Sequence, residues 1–384
     1  MQESLGRLQR KSLLGGGGAL VLAGLMGLFW REQFYQSYLS SYLFWIGMVL
    51  GSLVIVLVQH LTGGRWAYAI QGLCEAAMRT LPLFIVLFAP IILGLHTLYE
   101  WADPAHVEHD KILQHKQPYL NTEFFYIRQV VYFAVWLLLG GCLLRWSRLR
   151  QDTGELRYAD RLVAISGPGI VVFALTMTFA SVDWIMSLEP HWYSTIYGAM
   201  IMIGQLLGAL AFMTAMLISL MHAGPMRELL GKGHFHDLGK MLLGVVMLWA
   251  YVSFSQYLII WSGNLPHETP WYINRTTNGW QIIGVALMLM HFALPFCLLL
   301  SRSNKENIDK LQRIAMLIVV MRFVDMIWMV SPAFHPDGLH LHLLDMMLVC
   351  GIGGVWFGLF LRQVRLRPIL PANDPRGLPA AVHG

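Results

Sequence analysis

The chain has 384 residues, 56% hydrophobic and 13% charged, with a net charge of +5 and a mean hydropathy of +0.55. A soluble domain carries about 25% charged residues, so this composition excludes an ordinary water-soluble fold. The small positive excess is scattered between apolar runs, which speaks for membrane orientation and against a nucleic-acid partner.

At the N-terminus Arg7, Arg10 and Lys11 precede the apolar run Leu13–Phe29. No small-residue cleavage site follows, so the run is expected to be a retained first span rather than a signal peptide. Crossing about 30 Å of hydrocarbon takes roughly 20 apolar residues as helix. Ten runs qualify: 13–29, 38–60, 79–98, 123–145, 162–183, 196–221, 239–262, 278–300, 311–331 and 340–362. Runs of this length satisfy their backbone in lipid only as helices. The expected fold is therefore an all-α polytopic membrane domain over 1–362, with two four-helix bundles, two peripheral helices and a Pro-rich tail at 363–384. The cysteines Cys74, Cys142, Cys297 and Cys350 sit in apolar segments and form no CxxC, so the chain offers neither a cluster motif nor a c-type haem attachment.

The loops after even-numbered spans collect the arginines, among them Arg145, Arg148, Arg150, Arg157 and Arg161 after span four. With the N-terminus and the tail they hold 21 of the 27 lysines and arginines, Arg227 and Arg376 included. The opposite loops hold Arg31, Lys111, Lys116, Arg128 and Arg275, and Arg322 lies inside a span. By the positive-inside rule both termini are cytoplasmic.

That orientation makes SVDWIMSLEPHWYSTIYG, residues 181–198, an outer loop. Asp183, Glu189 and His191 are expected at a water-accessible interface, as a docking edge or a proton exit, with Trp184, Trp192, Tyr193 and Tyr197 as an aromatic belt. Deeper in the membrane, MRFVDMIW puts Arg322 and Asp325 on one helix face, and HLHLLDMM puts Asp345 in span ten. Span seven adds Gln256 and Tyr257 and ends at Asn264, while span eight carries His291. On the inner side stand His60 and Glu75, the latter four residues before Arg79. The functional reading joins these groups into two polar half-paths that meet at Arg322 in one wet seam. The structural reading beside it makes Arg322–Asp325 a register-fixing ion pair, Asp183 a capping group and His291 a packing residue. No two histidines share a depth suited to a b-type haem. The outer group His335, Asp337, His340 and His342 is too irregular to argue for a metal.

The stretches SVDWIMSLEPHWYSTIYG, HDLGKMLLGVVMLWAYVSFSQYLIIWSGNLPHETPWY and NGWQ resemble the NrfD/PsrC-like membrane subunits of alternative complex III, a bacterial quinol:cytochrome c oxidoreductase. The likeness runs from about residue 35 to 362, and the length and ten spans are most similar to the second such subunit. It implies a multi-pass protein of the bacterial inner membrane that anchors an iron–sulfur subunit and c-type cytochrome subunits on the outer face, beside a sister NrfD-like subunit and small membrane subunits, with a terminal oxidase downstream. It further implies clusters and haems on those partners, quinol or menaquinol in the sister subunit before this one, although this branch too is described as quinone-binding, and a proton pathway through this one. A bare membrane scaffold and a stand-alone secondary transporter are the competing readings, the latter disfavoured by the lack of inverted repeats.

Overall fold

The computed structural model describes residues 2–222, 230–367 and 369–370; Arg227 and the tail from 371, with Arg376, lie outside the described residues. Ten long elements follow in order: α1 (Gln2–Gly27), α2 (Arg31–Thr62), α3 (Arg65–Met78), α4 (Thr122–Thr153), α5 (Leu156–Trp184), α6 (Tyr197–His222), α7 (Lys232–Gly263), α8 (Trp280–Leu300), α9 (Ile308–Val330) and α10 (Leu343–Leu366). Among the described residues there is no strand.

Among the described residues, nine of the helices are long and apolar enough to cross a membrane. They begin with α2, and the third expected span starts earlier than 79: its apolar run is Trp66–Leu93. After α3 this run is broken into the short helices Leu81–Val86 and Ala89–Leu93, because Pro82 and Pro90 cannot donate backbone hydrogen bonds within a continuous helix. The helix α1, which contains the expected first span, is not among the nine. It packs along α10 through glycine: a Cβ on Gly354 would lie 2.7 Å from Gly16 Cα, and the Ser12 hydroxyl donates to Gly354 O at 2.9 Å. Gly354→Leu should therefore wedge the two helices apart and lower stability by about 3 kcal/mol. Gly17→Leu, whose Cβ meets nothing within 4 Å, should leave the thermal midpoint nearly unchanged.

The core is built around α2 and α6, with 83% and 78% of their apolar windows buried. They approach closely at Gly51, where a Cβ would sit 2.2 Å from Gln205 O. On one side α3 and α5 pack on α2, with α4 against α5; on the other α7 and α9 pack on α6, with α8 against α7 and α9. The outer surfaces of α4, α5, α7 and α8 expose large apolar side chains such as Val130, Leu175, Phe254 and Val285, as lipid-facing helices do.

In α8 the helix widens to a π-turn over Leu287–Ala293. Its cause lies in Pro295, which has no N–H to give to the carbonyl of His291 and whose ring would collide with it in a regular helix. The widened turn carries His291 into the interior, where it is fully buried.

Candidate functional site

The expected single seam is divided among separate helix groups, and Arg322 is not the lone buried guanidinium: Arg128 and Arg275 are buried too. Both had been assigned to loops. Arg128 lies in the second turn of α4, and Arg275 in the short helix Pro270–Thr276.

Asp183, at the end of α5, is not water-exposed as its loop position suggested; its relative exposure is 0%. Arg128 binds it through two bonds, Nε to Oδ2 at 2.8 Å and Nη2 to Oδ1 at 2.9 Å. Tyr132 donates its hydroxyl at 2.9 Å and Gln129 its amide at 3.3 Å. The guanidinium also gives a bond to Tyr119 O and lies 4.0 Å from the Tyr119 ring centroid. A carboxylate held by so many donors is charge-neutralised in place, an arrangement that fastens α4 to α5.

Asp345, expected within span ten about a turn and a half from its end, stands in the first turn of the helix. It is half-buried there and closes a capping box with His342: His342 Nδ1 accepts from Leu344 N at 3.1 Å, while Asp345 accepts from His342 N at 2.8 Å. Ser37 on α2 donates to it at 2.5 Å. Asp345→Ala is expected to cost about 1 kcal/mol, measured as a drop in thermal midpoint, with no dependence on any ligand of the chain.

Three of the supposed interfacial aromatics, Trp184, Trp192 and Tyr197, are core residues; Tyr193 alone of the four is exposed. Trp192 stacks on Trp271 at 4.8 Å. Glu189 pairs with Arg275 at 2.7 Å, and Arg275 also donates to Trp271 O and Met329 O. His191 reaches Asp110 at 2.6 Å and ties the segment 99–122 to this loop. Asn264 takes the left-handed conformation, φ 45°, that ends α7.

On the arginine-rich end, Glu75 accepts from Gln71 at 3.0 Å, from Ser147 at 2.5 Å and from Arg79 at 3.3 Å, and Gln59 bonds Gln71. His60 follows Gln59 near the C-terminal end of α2. This network spans α2, α3 and α4, away from α9.

The remaining groups converge. Between α6, α7, α8 and α9 is a cavity of about 510 Å³, lined by Trp249, Ser253, Tyr257, Tyr272, Arg275 and Gln281, with Arg322 and Asp325 among its walls. Arg322 and Asp325 form an ion pair. The Arg322 guanidinium fits over Gly204 of α6, where a Cβ would come within 2.4 Å of it. Phe254, Val285 and Met288 line the same cavity and are 50–61% exposed on the apolar outer surface of α7 and α8, and the exposed Thr276 and Gln281 line it at the loop end. The Trp249 ring lies 4.4 Å edge-to-face from His291, just behind the wall. Tyr197 is within electrostatic reach of Asp325, Glu189 and Arg275.

Several buried polar atoms around this cavity have no hydrogen-bond partner: Tyr197 Oη, Gln256 Nε2, Arg275 Nε and both ring nitrogens of His291. The other end of the Gln256 amide accepts from Ser194 at 3.0 Å. Thus Arg322, Asp325 and Tyr257 line the cavity, His291 and Gln256 lie near it, and Asp183, Asp345, Glu75, His191 and Asn264 belong elsewhere. Sequence reasoning missed Trp249, Tyr197 and Arg275. The available signal was Gly204, a glycine in an apolar helix at the height of a buried arginine. Among the described residues no three His, Cys, Asp or Glu side chains stand together as a metal site.

The chain matches no family model, and no curated protein is detectably similar to it.

Proposed function

We propose that the chain is a membrane subunit of a quinol:cytochrome c oxidoreductase of the alternative complex III type, nearest the ActF subunit. In this reading α1 is the tenth crossing, both termini face the cytoplasm, and the far end anchors the iron–sulfur and c-type cytochrome subunits. The observation that carries it is the 510 Å³ cavity with exposed apolar residues of α7 and α8 at its edge and an ion pair in its wall. Such a volume is ordinary for a small-molecule site. Its apolar walls suit a prenylated ring and its Arg322, Asp325, Tyr257 and Tyr272 suit hydroxyl or carbonyl oxygens, so the quinol site expected in a sister subunit belongs, in this reading, to this chain as well.

Quinol oxidation releases two electrons and two protons. The electrons leave through clusters and haems of partner subunits. For the protons, Asp325 is the carboxylate in the cavity wall, and the buried Tyr197 is within electrostatic reach of both it and Glu189. The unpartnered Tyr197 hydroxyl and Gln256 amide are polar groups that a water chain would satisfy. The route therefore runs Asp325, Tyr197, Glu189, and it drops Asp183 and Asp345, whose bonds are already complete.

A scaffold role is the second reading, favoured by the closed Arg128–Asp183 pair, which fixes helices and moves nothing. Affinity isolation of the tagged chain from its own membranes distinguishes these readings from a lone transporter. Haem-bearing chains and quinol:cytochrome c turnover should co-purify; an isolated, colourless, stable chain would refute the assignment to an oxidoreductase.

A further inference from the structure

Away from the cavity, three arginines from three helices meet at the arginine-rich end. Arg79 caps the C-terminus of α3, Arg148 lies on α4 and Arg367 caps α10. Two contacts link their helices. Ser147, the neighbour of Arg148, donates to Glu75, which in turn pairs with Arg79. Two residues past Arg367, the carbonyl of Ile369 lies so close to Gly72 that a Cβ there would come within 2.1 Å of it. The charges of Arg148 and Arg367 both act on Arg79.

Two carboxylates share the site: Glu75 at 3.3 Å from Arg79, and Asp152 at 3.4 Å from Arg148. Three guanidiniums against two acids leave one positive charge in excess, carried by a side chain free to bind an anion. The adjoining helices leave an apolar surface uncovered. Ile85 and Val86 follow Arg79 on the broken third span, Leu138 precedes Arg148 on α4, and all three are exposed; beside Gly141 of α4 there is open space.

We propose that this corner holds one anionic phospholipid, its phosphodiester between Arg79, Arg148 and Arg367 and its acyl chains along the seam between the third span and α4. Guanidinium forks match phosphate oxygens, and a single negative charge balances the excess. A zwitterionic lipid brings its own ammonium to the phosphate and gains less. Bound there, the lipid adds to the direct bonds that join the third span to its neighbours, Ser147 to Glu75 and Trp356 to Thr80.

The test uses the intact chain in nanodiscs of phosphatidylcholine, titrated with phosphatidylglycerol, bound lipid being read by native mass spectrometry. Phosphatidylglycerol should be retained selectively. Arg148→Gln with Arg367→Gln, both exposed positions, should weaken retention about thirtyfold, the equivalent of about 2 kcal/mol. The thermal midpoint without added lipid should stay the same. Arg79→Gln should weaken retention as well, though it also strips Glu75 of its cation. Equal retention of phosphatidylcholine, or full retention of phosphatidylglycerol by the double variant, would overturn the proposal. Displacement by millimolar inorganic phosphate would overturn it too, since the site would then bind a free anion and not a lipid.

Discussion

Arg128→Met is expected to be the most damaging single substitution outside the cavity, lowering stability by about 3–5 kcal/mol. The reason is what it leaves behind. Asp183 has no solvent exposure, and without the guanidinium its charge keeps Tyr132 and Gln129 as donors in the protein interior. The measurement is the thermal midpoint of the purified chain together with its yield in membranes. A double variant, Arg128→Met with Asp183→Leu, removes both charges and should recover most of the loss, because an apolar pair of similar volume replaces the ion pair. Equal damage in single and double variants would mean that the pair does more than hold α4 to α5.

The second large effect concerns activity. Asp325→Asn should lower quinol-dependent turnover on the order of a hundredfold or more, the usual loss when a positioned base is removed. It also leaves Arg322 buried without its anion, so a fold defect must be separated from a catalytic one. The control is Arg322→Gln with Asp325→Asn, a neutral pair that can still hydrogen-bond over Gly204. That double variant should assemble and melt like the parent while turnover stays low. Recovery of turnover in the double variant would show that Asp325 only neutralises Arg322. Tyr197→Phe, which keeps the ring and removes the unpartnered hydroxyl, should slow proton release without altering quinol affinity.

The helices were largely legible because length and apolarity decide spans, and the arginine asymmetry orders them. Breaks inside spans were not. The third span starts at Trp66, although Glu75 and Arg79 make its first half look like a loop; Gln71, Ser147 and Arg79 satisfy that carboxylate inside the bundle. The Arg322–Asp325 pair could be read from one helix, since i, i+3 spacing needs no tertiary knowledge. Asp183 could not be placed correctly, because its partner Arg128 is 55 residues away on another helix. The same holds for Glu189, whose cation Arg275 is 86 residues distant. Asp345 was misjudged for a local reason: the sequence HLHLLD reads as apolar span, yet the helix starts only at Leu343, which turns the acid into a cap. The π-turn in α8 had its signal in Pro295, four residues after His291.

Photolabelling of the intact complex with an azido-quinone, followed by mapping of the modified peptides, tests the central claim most directly. The label should fall on α7 and α8 residues that line the cavity, such as Trp249, Tyr257 and Met288, and unlabelled quinol should suppress it. Gly284→Phe, which projects a ring into the same cavity, should abolish the label while assembly persists. Labelling confined to other subunits, or undiminished in Gly284→Phe, would contradict a quinol site in this chain.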